Sequence, residues 1–412
     1  MLRSELLEII ANGETTGVEF KRDDIRPEQL AKEIVALANL YGGRILLGVE
    51  DDGTISGIQR DNLEEWVMNV ISSRVHPVLL PFYEVVKIDA DKSVAVISLP
   101  CGASKPYVVR DRQKEEIYIR VGTTSRVATR EQQLRLFSAG GFLHVELLPV
   151  SGTNFKTLDH ARIADYLANV LNDPEIPTTS SEWEQRCESL GFLVPTESGG
   201  LLCSIAGLVL FGIKPRRFLR QAGLRLMVFD GLDMDYAAKL DVLLDAPLVG
   251  RWEQDDQGRQ LVDAGLIEHF MELLTPHISM IADPNEQLRR DRSWRYPLEA
   301  VREVVLNALT HRDWTRSIEV EVVVYSDRMV ITSPGALPNS MTVAKMLAGQ
   351  RSPRNTLVTE ILRDYGYVDH RGMGVRRKVL PLMRRENRAE PEFEVTEDYV
   401  RTVLRRAVPT ES

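Results

Sequence analysis

Two groups of residues have the types and spacing for chemistry, and the first is Glu14, Glu19, Lys21 and Asp51. If Glu19-Phe20-Lys21 opens a strand, the period of two puts Glu19 and Lys21 on one face and Phe20 on the other, toward a core. Asp51 follows the apolar stretch 45–49, and its carboxylate reaches the same spot if that stretch is the neighbouring strand. Glu14, five residues before Glu19, cannot share a regular strand face with it, so it must come from a preceding turn or helix end. Three hard oxygen ligands around one point suit Mg²⁺ or Mn²⁺, which binds phosphate and activates water. A nearby ammonium neutralises charge in the phosphoryl transition state. That chemistry is phosphodiester hydrolysis. The same residues also fit a strand-borne Glu–Lys pair beside acidic turn residues.

The second group is Arg302-Glu-Val-Val-Leu-Asn307-Ala-Leu-Thr-His311-Arg-Asp313. Glu303 and Asn307 are four apart and Thr310 and His311 follow within the next turn, so one helix face can present a carboxylate, an amide and an imidazole. Such a face could hold Mg²⁺ and aim a water. Alternatively, Glu303 pairs with Arg302 or Arg312 and Asn307 caps a loop. His76, His144 and His160 have no companions at metal-ligand spacing. Trp183, Trp252 and Trp294 read as packing residues rather than a base-stacking platform.

These residues need elements to carry them. Pro27 sits where a helix starts, Leu30, Ile34, Val35, Leu37 and Ala38 follow at helical spacing, and Gly42-Gly43 stops it. A hairpin is expected next, from 44–49 through the turn Asp51-Asp-Gly53 to 54–58. Further strands read at 82–88, 93–99, 107–110 and 117–121, which makes residues 1–150 a mixed α/β domain. In 151–284 helical stretches surround a Gly-rich hairpin candidate, 192–202; a helix before such a hairpin can be a DNA-holding wing, or only a connector. Residues 285–412 open with a helix over 298–311. A hairpin of 318–325 and 328–332 follows, then the loop Ser333-Pro-Gly-Ala-Leu-Pro338 and two glycine-bearing stretches, 349–355 and 371–374. That order suggests a helical layer on a sheet.

Composition bounds the class of protein. The 412 residues are 43% hydrophobic and 27% charged with a net charge of -9, which fits two to four globular domains and excludes disorder, collagen and a coiled-coil rod. No run approaches a membrane span and the start lacks an apolar signal core, so a cytoplasmic location is expected. Cys101, Cys187 and Cys203 are too few and scattered for a disulfide framework or zinc cluster. Charge is uneven: residues 285–412 carry a net +4 and the first 284 a net -13. Arg371, Arg376, Arg377, Lys378, Arg384, Arg385 and Arg388 form a basic cluster, either facing a phosphate-bearing partner or lying on a solvated helix face.

The run Glu14-Thr-Thr-Gly-Val-Glu-Phe-Lys21, with Ala36-Leu-Ala-Asn39, Gly42-Gly43 and Gly48-Val-Glu-Asp-Asp-Gly53, resembles the Schlafen-type AlbA-like domain of bacterial ATP-binding proteins and animal Schlafen ribonucleases. The resemblance covers about residues 5–140. It implies a catalytic triad at Glu14, Glu19 and Asp51 holding Mg²⁺ or Mn²⁺, with Lys21 beside the scissile phosphate. The C-terminal stretch, about 290–400, resembles the nucleotide-binding domain of RecG-like bacterial ATP-binding proteins, a divergent branch of the gyrase and histidine-kinase (GHKL) ATPases. That resemblance rests on the 302–313 run, Ile331-Thr-Ser-Pro-Gly335, 351–355 and Arg371-Gly-Met-Gly374. It implies ATP as ligand, Glu303 as general base, Asn307 as Mg²⁺ ligand, and His311 and Gly335 in the site. Gly372 and Gly374 would let backbone N–H groups approach phosphates, and Arg351 and Arg354 would belong to a lid. The adenine-reading Asp-x-Gly-x-Gly box is absent, with Ser333-Pro-Gly335 roughly in its place. Ala206-Gly-Leu-Val-Leu-Phe-Gly-Ile-Lys-Pro215 resembles the connector of the same two-domain family.

The expected fold is therefore α/β (α+β): a Schlafen AlbA-like domain over 1–150, a helical, winged-helix-like connector over 151–284, and a GHKL-like α/β sandwich over 285–412. The expected function is a nucleotide-regulated, metal-dependent nuclease with RNA, tRNA among the candidates, favoured over DNA. By family analogy it serves antiviral defence as a homo-oligomer without membrane contact. A non-catalytic, ATP-sensing, DNA-binding transcriptional regulator is the alternative, and a third reading is an ATPase whose N-terminal domain only assembles subunits.

Overall fold

The computed structural model describes residues 1–102, 104–111, 114–140, 143–197, 199–255, 258–279, 295–338, 341–350, 352–368 and 374–406. The chain divides into two compact units, Met1–Leu143 and His144–Ser412. Both mix helices with sheets, as the sequence leads one to expect.

The N-terminal unit is built on a four-stranded sheet in the order Val18–Lys21, Gly43–Leu47, Ser93–Leu99, Phe82–Lys87. Val18–Lys21 runs parallel to Gly43–Leu47, pairing Glu19 with Ile45 and Lys21 with Leu47. Helix Pro27–Asn39 starts at its proline and buries Leu30, Ile34, Val35 and Leu37. These pack with Ile45, Leu47, Ala95 and Ile97 on one face of the sheet. Phe20, Leu46, Val94 and Val96 fill the other face with Leu6 and Ile10 of helix Arg3–Asn12.

The expected hairpin from 44–49 to 54–58 reduces to one bridge, Val49 with Ile55, because the strand has other neighbours. Ile45, Leu46 and Leu47 are buried whichever face they point to. A strand buried on both faces belongs in the middle of a sheet. Gly43–Leu47 accordingly lies between Val18–Lys21 and Ser93–Leu99, and the segment after Asp51 reaches only the chain just beyond it, where the Ser56 and Gly57 amides donate to the Gly48 carbonyl at 3.0 and 2.9 Å.

In the C-terminal unit a six-stranded sheet runs in the order Leu240–Leu244, Leu224–Val228, Val320–Val324, Arg328–Pro334, Tyr399–Arg405, Glu392–Val395. Leu224–Val228 pairs parallel with Val320–Val324. Residues 151–284 thus supply two strands to the sheet completed by residues 285–412, and the two stretches share one compact unit. The helix over 298–311 forms as expected and packs on Arg328–Pro334, with Ser333 Oγ donating to the Ala308 carbonyl at 2.8 Å. Helix Ser180–Ser189 is followed by the hairpin of Leu193–Pro195 and Leu201–Cys203. Gly207 lets helix Ile205–Phe211 lie directly on that hairpin, since a Cβ there would come 2.3 Å from the Phe192 carbonyl oxygen. Among the described residues no helix is long and apolar enough to cross a membrane.

Candidate functional sites

Strand Val18–Lys21 carries the first cluster. Phe20 is buried, so Glu19 and Lys21 turn together to the opposite face, and Lys21 Nζ lies 2.7 Å from Glu19 Oε1. Helix Arg3–Asn12 ends at Gly13, whose positive φ redirects the chain. Glu14 then accepts a hydrogen bond from the Phe20 amide at 2.9 Å and lies 3.8 Å from Lys21 Nζ. Asp51, 82% exposed in its turn, approaches the same ammonium at 3.4 Å. Lys21 Nζ also donates to the Phe20 carbonyl at 2.7 Å. Burial opposes the charge on Lys21, but the Glu19 hydrogen bond and the charges of Glu19, Glu14 and Asp51 hold its pKa above the ordinary value.

The three carboxylates therefore meet at one point, and that point is the Lys21 ammonium. A divalent ion needs oxygens at about 2.0–2.6 Å on every side, and here the cation position is filled by a side chain of the strand itself. Glu19 is 5% exposed and its second carboxylate oxygen faces Arg120 in an ion pair. Among the described residues no group of three His, Cys, Asp or Glu side chains is arranged to hold a metal ion. The expected Mg²⁺ or Mn²⁺ at Glu14, Glu19 and Asp51 does not fit this arrangement.

Two residues outside the sequence-derived set complete the cluster. Arg120, on Tyr118–Val121, is fully buried; it pairs with Glu19 and Glu33 and donates to the carbonyls of Thr15 at 3.0 Å and Val18 at 3.2 Å. Glu33, on helix Pro27–Asn39, accepts from Ser125 Oγ. Burial, helped by the Glu19 charge and opposed by Ser125, raises its pKa. An arginine inside the apolar run 117–121 was the available signal, since a buried guanidinium requires carboxylates. Asn39 of the Ala-Leu-Ala-Asn motif is structural: it accepts from the Tyr107 amide and donates to the Tyr107 and Tyr118 carbonyls.

The second site is a cavity of about 200 Å³ under helix Leu298–His311. Glu303, Asn307 and His311 stand at i, i+4 and i+8 on one helix face, and all three line it. Gly335 and Gly374 enter from two other segments. Asn307 Nδ2 donates to Glu303 Oε1 at 3.3 Å, and Lys378 Nζ lies 3.8 Å from Glu303 Oε2. A Cβ at position 374 would overlap Glu303 Oε1 at 1.6 Å, so the carboxylate rests directly on the Gly374 backbone. Gly335 has φ +98°, and a Cβ there would meet Asp313 and Arg354 at 2.4 and 2.5 Å. Thr310 is buried and stands outside the lining.

Arg354 differs from the expected lid residue. Its buried guanidinium donates to the Ala336 carbonyl at 2.6 Å and lies 3.5 Å from Asp313, beneath the loop rather than over it. Among the described residues, the arginines that line the cavity are Arg363 and Arg376. Arg376 came from the basic cluster, as did Lys378 beside Glu303, whereas Arg384 pairs with Glu390 and Arg385 with Glu386 in solvent. Arg363 had no sequence signal beyond a charge on a helix. Arg351, Arg371 and Gly372 lie outside the described residues.

Comparison with known proteins matches this division. Residues 14–129 match the family model described as Schlafen, AlbA_2, and residues 318–404 match the one described as putative ATP-dependent DNA helicase recG C-terminal. The chain is a fusion of a Schlafen AlbA_2 domain with a RecG-type C-terminal domain, as the resemblances implied. No curated protein matches it. Among solved structures, the DIP2311 protein from Corynebacterium diphtheriae is 21% identical with a TM-score of 0.44, over 100% of this chain and 81% of that one. The N-terminal domain of a putative ATP-dependent DNA helicase RecG-related protein from Nitrosomonas europaea is 20% identical with a TM-score of 0.25, over 31% of this chain and 94% of that one.

Proposed function

We propose that this protein acts on nucleic acid in a nucleotide-dependent way, with ATP held in the C-terminal cavity and RNA engaged at the lysine-centred cluster of the N-terminal unit. The observation that carries the reading is the convergence of Glu303, Asn307, His311, Gly335 and Gly374 from three chain segments on one cavity. Pockets that enclose a drug-sized ligand run to roughly 300–1,000 Å³. A cavity of about 200 Å³ suits a base and sugar, leaving phosphates at its rim near Arg376 and Lys378. ATP supplies polyphosphate binding energy there; the chain's part is to seat the base among apolar side chains and place Asn307 and Glu303 beside the phosphates.

At the N-terminal cluster, cleavage of a phosphodiester is favoured by the meeting of three carboxylates on Lys21 within 3.8 Å. Lys21 would neutralise a phosphate oxygen as charge builds on it, and exposed Asp51 would take the proton of the attacking hydroxyl. A second reading, the ATP-sensing regulator that binds without cutting, is favoured by the burial of Glu19 between Lys21 and Arg120.

End-labelled RNA and DNA incubated with the full chain, with and without ATP and Mn²⁺, separate the two. RNA cut by wild type and at least about tenfold more slowly by Glu19→Gln supports the nuclease; retained cutting by that variant removes the cluster from the reaction. Salt-sensitive binding of duplex DNA with no cleavage in any condition makes the protein the regulator. Self-association is a further part of the proposal, read by light scattering of the same samples.

A further inference from the structure

The two edges of the N-terminal sheet are finished differently. At the Val18–Lys21 edge side chains take the outward backbone groups: the Phe20 amide donates to Glu14, the Phe20 carbonyl accepts from Lys21 Nζ, and the Val18 carbonyl accepts from Arg120. Such capping blocks the pairing that an open edge invites. Among the described residues the opposite edge, Phe82–Lys87, pairs with Ser93–Leu99 alone. The Ile88 amide donates to the Lys92 carbonyl at 2.9 Å, and hydrogen-bonded pairs alternate along an antiparallel ladder. Glu84 and Val86 therefore bond inward, while the amides and carbonyls of Tyr83, Val85 and Lys87 point outward. No side chain caps these outward groups among the described residues.

The side chains along this edge suit a second copy of the chain. Phe82 is 64% exposed and Val85 54%, in a strand with no proline inside it and a single lysine. Tyr83 and Val85 line an open recess with Ile58 and with Glu64 and Met68 of helix Leu63–Arg74. Burial and the nearby Glu64 charge raise the Tyr83 pKa. Val85 is the midpoint of residues 82–88. A two-fold axis there sets Val85 against its own copy and Tyr83 against the partner's Lys87, exchanging about six backbone hydrogen bonds. The partner's Lys87 then meets the Tyr83 ring and the Glu64 carboxylate beside it, a favourable cross-strand pairing on both sides of the axis. Centring the axis on Glu84 or Lys87 would instead oppose like charges directly.

We infer that Phe82–Lys87 is a homodimer interface in which two copies pair antiparallel about Val85, joining their four-stranded sheets into one. The inference rests on the self-association proposed above and assigns where it occurs.

Sedimentation equilibrium of the full chain at micromolar concentrations tests this, and wild type is expected to be a dimer. Val85→Pro removes an amide that bonds nothing within the chain, so it should melt with wild type. It should nevertheless weaken the dimer at least about tenfold, the worth of one hydrogen bond lost from each copy. Lys87→Glu should weaken the dimer as well, and adding Glu64→Lys to it should restore association. Val85→Cys should cross-link to its own copy under mild oxidation, because the two residues of a hydrogen-bonded pair have Cα atoms about 5.5 Å apart, within disulfide reach. Lys87→Cys, which faces the partner's Tyr83 in this register, should not. If Val85→Pro does not melt cooperatively, the two cysteine variants decide. A dimer that survives Val85→Pro in a folded chain, or a Lys87→Cys that cross-links as readily as Val85→Cys, overturns the inference while self-association stands. A wild type that is monomeric throughout removes self-association and this interface together.

Discussion

At the scale of the residue, both sites show buried charge deciding what a side chain can do. Glu19, Glu33 and Arg120 share one dry pocket, and removing either kind of partner would leave an uncompensated charge at a typical cost of about 3–5 kcal/mol. His311 shows the opposite solution, neutrality. An unfolded histidine protonates near pH 6.5, whereas His311 in the fold does so only at about 4. Between those values the unfolded chain binds more protons than the folded one, so the stability of the C-terminal unit should fall as pH falls through that window. The full effect is at most about 3 kcal/mol. Urea unfolding from pH 7.5 to 5 should show the wild-type midpoint dropping relative to that of His311→Phe. A gap between the two that stays constant with pH would mean that His311 titrates normally.

At the scale of the element, helix ends are fastened by side chains distant in sequence. Asn355 Nδ2 donates to the carbonyls of Thr310 and Arg312 at 2.8 and 2.9 Å, closing the C-terminal end of the helix that bears Glu303, Asn307 and His311. Helix Thr356–Asp364 begins immediately after it. Glu146, buried, accepts there from the amides of Leu357 at 3.0 Å and Val358 at 3.3 Å. Burial raises the Glu146 pKa, with the amide hydrogen bonds opposing it. Since Thr359 and Arg363 of this helix line the cavity, its position sets the cavity's shape. Replacing Glu146 by alanine exposes two buried N–H groups to loss of their acceptor and should destabilise the C-terminal unit by about 2–3 kcal/mol in chemical denaturation. ATP affinity should weaken in the same variant. Unchanged stability would show that water can replace the carboxylate.

At the scale of the whole molecule, sheet pairing defines where the chain can be cut. Leu224–Val228 lies inside the six-stranded sheet, between Leu240–Leu244 and Val320–Val324. Residues 285–412 alone would expose the Val320–Val324 edge, with its buried valines, to solvent. That fragment is expected to aggregate, whereas His144–Ser412 should unfold cooperatively and match the full chain in any ATP affinity measured. Met1–Leu143, with its own two-faced core, should also fold alone. Circular dichroism melts of the three fragments check this; a soluble, cooperative 285–412 would show that the shared sheet is dispensable.

Local patterning was enough to place the helices at Pro27–Asn39 and Leu298–His311 and the strand face shared by Glu19 and Lys21. Each follows from periodicity or a proline start, which are properties of a few neighbouring residues. The sequence could also put Lys21 on the face of Glu19 and Glu14 in the turn before it, whereas Asp51 reaches them only because sheet order makes Gly43–Leu47 the neighbour of Val18–Lys21. It could not show that Lys21 Nζ stands at the very point where those carboxylates meet, nor that Arg120, about a hundred residues away, holds the other oxygen of Glu19. Nor could it show that Arg354 lies beneath the cavity loop while Arg363 and Arg376 line it. These are contacts between segments joined only by packing, so desolvation, sheet order and the competition of charges for one another become defined only when the tertiary structure brings them together.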